Sequence, residues 1–325
     1  MRRFSCETCS AELFFENSVC VSCGSPVGYD RDRRRLVVVG DQPICANLGR
    51  CGCNWIADPA SPAGLCFNCT LTRTRPADGD LAGLGQYAVA EAAKRRLVFE
   101  LDDLGLPVRV SDTYVGLAFD LLSSSRGKII TGYENGVITL DLAESDDAHR
   151  EALRASMEEP YRTVLGHFRH EIGHYYCELL ALTPDGRDDF RRLFGDETIP
   201  YEEALERHYA EGQGAGWQNT YISAYAAMHP LEDFAEVFAH YLHISDALQT
   251  AAEFGLLPGD ASRGRGFAEV VTGTWLPLTK GLNQINRSMG RADLYPFVLA
   301  EPVLAKLAYV ADLVQRAGNR QPVAG

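Results

Sequence analysis

His170-Glu171-Ile172-Gly173-His174 decides how the rest of this sequence is read. Residues 161–182 contain no proline, and their only glycines are Gly166 and Gly173, so a helix is predicted there. Side chains four apart on a helix share a face, so His170 and His174 can offer two imidazole nitrogens to one metal ion. Glu171 stands one step round, beside that ion but not on it, where a general base for an activated water belongs. The pattern does not continue as H-x-x-G-x-x-H, because Cys177 stands where that longer motif needs glycine, which argues against the metzincin arrangement. His167, one turn before His170, reads as a packing or supporting histidine rather than a ligand.

A catalytic zinc site takes three protein ligands and keeps one position open for water. The third ligand is sought downstream, where Pro230 suits the first turn of another helix and the acids Glu232 and Asp233 follow it. Glu232, Glu236 and His240 recur every four residues, a polar stripe on a helix that otherwise carries Phe234, Val237, Phe238, Tyr241 and Leu242. Such a stripe faces either solvent or the metal, and the missing ligand favours the metal. Glu232 is the preferred third ligand; Glu236 would then hydrogen-bond a ligating imidazole and fix its tautomer. His229 is the rival, which would make a three-histidine site, and His208, His240 and His243 are weaker rivals. Tyr225, Tyr221 and His229 are the candidate donors to an oxyanion.

All the cysteines except Cys177 lie between Cys6 and Cys69. Cys6-x-x-Cys9 and Cys20-x-x-Cys23 are two knuckles at zinc-ribbon spacing. A segment this short does not fold on apolar burial alone, so a structural zinc would hold it. Cys66-x-x-Cys69 is a further knuckle, and Cys45 with Cys53 is the expected other half of a second structural zinc site. Cys51 could replace either of that pair. The expected complement is one catalytic and two structural zinc ions.

The chain has 325 residues, 46% of them hydrophobic, and a net charge of −13, which suits a globular protein and argues against a general nucleic-acid binder. Within residues 1–76 arginines and acids nearly balance, and two four-thiolate zinc sites would tip the balance negative. The Arg31, Arg33, Arg34, Arg35 cluster reads as a local contact or a solvated face. No membrane-spanning run and no apolar leader follow the N-terminal Met1-Arg2-Arg3, so the expected location is the cytoplasm, without membrane partners.

Residues 73–85 read as a turn-rich linker, 86–104 as a helix, 106–110 and 117–122 as strands. Residues 128–131 and 136–142 are expected to pair as a hairpin around Asn135-Gly136, with 137–142 as the edge strand that meets a substrate backbone. Residues 145–157 and 302–316 are expected to be helical. The domain reading is a zinc ribbon in 1–28, a second Cys-rich zinc-binding module in 29–76 and a metallopeptidase domain in 77–325.

Long strings of this chain resemble a family of bacterial zinc-binding metallopeptidases with an N-terminal zinc-ribbon region. They are Cys53-Asn-Trp55 with Cys66-x-x-Cys69, Glu159-Pro-Tyr-Arg162 leading into Gly166-His-Phe-Arg-His-Glu-Ile-Gly-His-Tyr-Tyr176, Phe194-Gly-Asp-Glu197, His229-Pro-x-Glu-Asp-Phe-Ala-Glu236, Ala239-His-Tyr-Leu-His243, Asn286-Arg-Ser-Met-Gly290 and Tyr295-Pro-Phe297. The resemblance implies an α+β, mainly helical zincin-like domain with a small sheet, preceded by small Cys-rich ribbons. Glu232-x-x-Ala235-x-x-Phe238-Ala239 is also similar to the string that supplies the zinc-ligating glutamate in ImmA/IrrE-type peptidases, which implies a gluzincin-type site. The expected function is zinc-dependent hydrolysis of peptide bonds in a peptide or protein substrate, with Glu171 as base. The alternative is a non-catalytic, regulatory protein that binds peptides or proteins through its ribbons.

Overall fold

The protein is described here from a computed structural model, over residues 1–40, 42–108, 116–146, 163–212 and 214–320. Its class is α+β, with small sheets set among longer helices. The N-terminal region begins with two short antiparallel ladders. Phe4–Ser5 (β1) pairs with Glu12–Leu13 (β2), and Val27–Asp30 (β3) pairs with Arg35–Val38 (β4). The knuckles turn on left-handed residues placed just after Cys9 and Cys23, Ser10 at φ 61° and Gly24 at φ 76°. There Ser10 N donates to Cys6 O and Gly24 N to Cys20 O. Two single-turn helices, Leu48–Cys51 and Phe67–Thr70, carry Cys51 and Cys69.

The main sheet has strand order β5-β6-β8-β7, from Thr72–Thr74, Ala118–Leu122, Val137–Asp141 and Gly132–Glu134. β5, β6 and β8 are parallel, and β7 runs antiparallel to β8. The hairpin turns where predicted, with Asn135 at φ 49° and Gly136 at φ 83°, the backbone that a tight two-residue turn requires. Its first strand starts at Gly132 rather than in 128–131. β8 is interior and β7 is the edge, which corrects the expectation that 137–142 forms the edge strand. Residues 73–85 are not a linker: Thr72–Thr74 is a sheet strand, and a helix begins at Leu81 with Asp80 as its cap. That helix, Leu81–Asp103, covers all of the predicted 86–104 but Leu104, its C-cap, and Glu301–Arg320 covers the predicted 302–316. Leu106, Pro107 and Val108 are irregular, and the rest of the strand expected at 106–110 lies outside the described residues. Ser145 closes a 3-10 turn, Leu142–Ser145; the remainder of the helix expected at 145–157 is outside the described residues, apart from Asp146, which is not helical.

The motif helix, Val164–Tyr176, is capped by Thr163 and runs on into a π-turn at Cys177–Ala181. It lies between the Leu81–Asp103 helix and the long Pro230–Glu253 helix. One continuous apolar core joins all of this. Phe4, Phe15, Tyr29, Trp55 and Phe99 form an aromatic cluster in which ribbon residues pack directly on the Leu81–Asp103 helix, with ring centroids 4.9 Å apart for Phe15 and Phe99 and 5.5 Å for Tyr29 and Phe99. The arginine cluster adds to this seam: Arg31 chelates Asp102 at the end of that helix with contacts of 2.6 and 2.5 Å, and Arg34 lies 3.9 Å from Asp103. No helix among the described residues is long and apolar enough to cross a membrane.

Candidate active site

Gly173 sets the geometry of the site before any ligand does. A Cβ on it would lie 2.8 Å from Ala235 Cα and 3.0 Å from Ala235 O, so only glycine lets the motif helix approach the Pro230–Glu253 helix this closely. The approach brings Glu232, in the first turn of the second helix, over the two histidines. Glu232 Oε2 stands 3.0 Å from His170 Nε2 and 3.4 Å from His174 Nε2, and the two Nε2 atoms are 3.3 Å apart. Tetrahedral zinc with ligands at about 2.0–2.1 Å places neighbouring ligand atoms roughly 3.3–3.4 Å apart. Glu232 is 3% exposed, and its Oε2 is buried without a hydrogen-bond partner. A buried carboxylate oxygen that faces two imidazole nitrogens without a well-formed hydrogen bond to either fits a cation.

The electrostatics agree. Burial works against charge on Glu232, but the flanking imidazoles hold its carboxyl well below the ordinary range. Burial also opposes charge on His170, yet Glu232 and Glu236 raise its pKa well above that of a free imidazole. The field that would hold a proton there also favours a dication, which must displace that proton to bind. Glu236 Oε1 lies 2.7 Å from His170 Nδ1, a contact that would leave Nε2 as the nitrogen open to a metal.

Glu171 is buried beside this triangle. Burial alone would raise its pKa, but a hydrogen bond from His167 and the nearby imidazoles bring it below the usual value. His167 Nε2 is 3.0 Å from Glu171 Oε1, and its Nδ1 is 2.6 Å from Glu144 Oε2. The two carboxylates outweigh burial and raise the His167 pKa to about 9.

Two tyrosines approach the triangle. Tyr201 donates its hydroxyl to Glu232 Oε1 at 3.0 Å, and Tyr225 Oη is 3.5 Å from Tyr201 Oη, with its ring 6.0 Å from the His170 ring. Burial, then the charge of Glu232, pushes the Tyr225 phenol up, so it remains a donor at neutral pH. On the other side Tyr133, from edge strand β7, stacks on His174 with centroids 6.3 Å apart and planes 15° apart, and donates to Glu178. Tyr201, Tyr133 and Glu144 escaped the sequence reading. The one available signal was Tyr133's place in the strand that leads into Asn135-Gly136.

Other candidates are engaged elsewhere. His229 caps the Pro230–Glu253 helix: its Nδ1 accepts from Leu231 N at 3.1 Å and its Nε2 donates to Ile199 O at 3.0 Å, so neither nitrogen is left for a metal or an oxyanion. Tyr221 packs against the Lys306 ammonium, 4.6 Å from its ring, and not on the triangle. His240 meets the Tyr295 hydroxyl, His243 packs on Trp275, and His208 meets Tyr225 edge to face.

The cysteines converge as two groups of four. In Cys6, Cys9, Cys20 and Cys23, Sγ pairs lie 3.7 Å apart; in Cys45, Cys53, Cys66 and Cys69, Cys53 and Cys66 are separated by 3.5 Å. Four thiolates at about 2.3 Å from a tetrahedral ion stand roughly 3.8 Å apart. Cys51 sits beside Cys69 and Glu91, and its thiol reaches Asn47 O at 3.5 Å. Arg95 is buried among these sulfurs, with both terminal nitrogens 3.4 Å from Cys51 O. A buried guanidinium there calls for the net negative charge that a loaded four-thiolate site carries.

These features define a zinc-ribbon chain joined to a metallopeptidase-type domain. The chain belongs to the family described as "Putative zinc-binding metallo-peptidase", which matches residues 83–313, and a zinc-ribbon family matches residues 3–80. It is 51% identical to an uncharacterized protein of Mycobacterium bovis, over 97% of this chain and 95% of the relative, and equally similar to uncharacterized proteins of two Mycobacterium tuberculosis strains. No solved structure matches it.

Proposed function

We propose that this protein is a gluzincin-type zinc peptidase that cleaves peptide bonds in a peptide or protein substrate. The observation that carries the reading is the triangle of His170 Nε2, His174 Nε2 and the buried Oε2 of Glu232. Zinc held there would polarise the scissile carbonyl and acidify the attacking water. Glu171 takes the proton of that water and passes it to the departing amine. Tyr225, aligned by Tyr201, donates to the developing oxyanion. Glu236 holds His170 in register. The substrate backbone lies along β7, the edge strand of the sheet among the described residues, whose Tyr133 stands against His174. The two cysteine groups each hold a structural zinc.

The test is zinc per chain together with turnover of a pool of fluorogenic peptides. The parent is expected to hold about three zinc ions. Glu171→Gln should keep all of them and lose about 10²–10⁴-fold in turnover. Glu232→Ala, and His170→Ala with His174→Ala, should each lose one ion. Undiminished cleavage by Glu171→Gln would refute the mechanism. A parent with only two ions, unchanged by the histidine variants, would give the lead to a non-catalytic binding protein.

A further inference from the structure

His167 stands outside the ligand triangle, yet both of its ring nitrogens face carboxylates. Nδ1 is 2.6 Å from Glu144 Oε2 and Nε2 is 3.0 Å from Glu171 Oε1. A ring in this position has two acceptors and therefore donates from both sides. Glu144 is itself anchored. Its Oε1 accepts from the Thr131 hydroxyl at 2.7 Å, and that hydroxyl accepts from Asp141 N at 2.9 Å, at the end of β8. The 3-10 turn that carries Glu144 is capped by Asp141 and packs on the Leu81–Asp103 helix. An unbroken line of hydrogen bonds thus runs from the sheet, through Thr131, Glu144 and His167, to Glu171. Glu144 and Glu171 are both nearly buried, at 6% and 5% exposure. Burying two carboxylates around one imidazole is a costly way to fill space, because an apolar side chain would serve packing better.

We infer that His167 is a positioning residue for Glu171. It holds Oε1 and so leaves the second carboxylate oxygen for the attacking water, while Glu144 sets the ring. The inference rests on Glu171 being the base. A glutamate carboxylate without a partner turns freely about its last bond, and a misplacement of about 1 Å in a reacting group can cost on the order of 10²-fold in rate.

The experiment uses the full chain loaded with zinc and one quenched-fluorescent peptide selected for turnover by the parent. His167→Ala should keep all its zinc and hold KM within about twofold, while kcat falls about 10–100-fold. His167→Gln should recover most of that loss, because its amide N–H can stand near the place of Nε2–H. In a Glu171→Gln background, His167→Ala should cost nothing further, since a residue that acts only through Glu171 has nothing left to position. NMR of the ¹⁵N-histidine-labelled protein gives a readout independent of turnover: a hydrogen-bonded Nε2–H signal of His167 that shifts in Glu171→Gln. Zinc loss in His167→Ala, an equal penalty in the Glu171→Gln background, or no rescue by glutamine would each overturn the inference in favour of a structural role. If the parent cleaves and His167→Ala cleaves equally well, only this inference falls. If the parent cleaves no peptide in the pool, the peptidase reading fails first and takes the inference with it.

Discussion

The two oxygens of Glu232 divide their work. Oε2 faces the histidines and Oε1 accepts from Tyr201. A carboxylate with only one oxygen tied down can swing away from a metal, and the Tyr201 hydrogen bond would prevent this. Tyr201→Phe should therefore weaken zinc binding at this site about 10–100-fold, with the cysteine sites untouched. Competition against a graded series of chelators would measure it, and unchanged affinity would show the contact to be idle. His170, His174 and Glu171 were legible in the sequence because one helical turn fixes their relation. Tyr201 was not, since it stands 31 residues before Glu232 in the chain and no local period links the two. His229 misled for a physical reason. A histidine before Pro230 can cap a helix as well as bind a metal, and here its Nδ1 accepts the helix's own N–H.

Helices and the hairpin were legible because their signals are local: apolar spacing and Asn-Gly at the turn; the caps Asp80 and Thr163 were not read, so the two helix starts were misplaced. β5 was not. Thr72-Arg73-Thr74 has no strand pattern of its own, and its conformation comes from pairing with β6 and from the Arg73–Asp120 ion pair. The crossing of the two site helices was half legible, since Gly173 is visible in the sequence but its reason, the Ala235 backbone, is not. Gly173→Ala should force that crossing apart. The expected cost is about 1–3 kcal/mol of stability, with weaker zinc binding at the triangle because Glu232 moves with its helix. Urea unfolding and zinc titration would check both, and a variant that matched the parent in each would mean that the helices slide without penalty.

Across the whole molecule, the cysteine region and the peptidase-type region share one core. Phe4, Phe15 and Tyr29 close on Phe99 of the Leu81–Asp103 helix, with Trp55 packed behind Phe15 and Tyr29, and Arg95 of that same helix is buried among the cysteine sulfurs. Loss of the second cysteine site should therefore be felt far from it. Cys66→Ser with Cys69→Ser should lower the main thermal transition by about 5 °C or more, in a single step followed alike by aromatic circular dichroism and by turnover. A peptidase region that keeps its own midpoint would contradict this. The arginine cluster fits the same picture, with Arg31 and Arg34 engaged by acids at the end of the helix rather than left for phosphates. β5 has one more consequence. Its residues fall within the ribbon family's match, 3–80, yet it forms the outer strand beside β6. Cut where the two families meet, the peptidase-type half would bare a parallel β6 edge with no charged side chain but Asp120, an open invitation to intermolecular pairing. The ribbon is thus the sheet's hem, and the two family matches, separable on paper, are sewn together by the hydrogen bonds between β5 and β6.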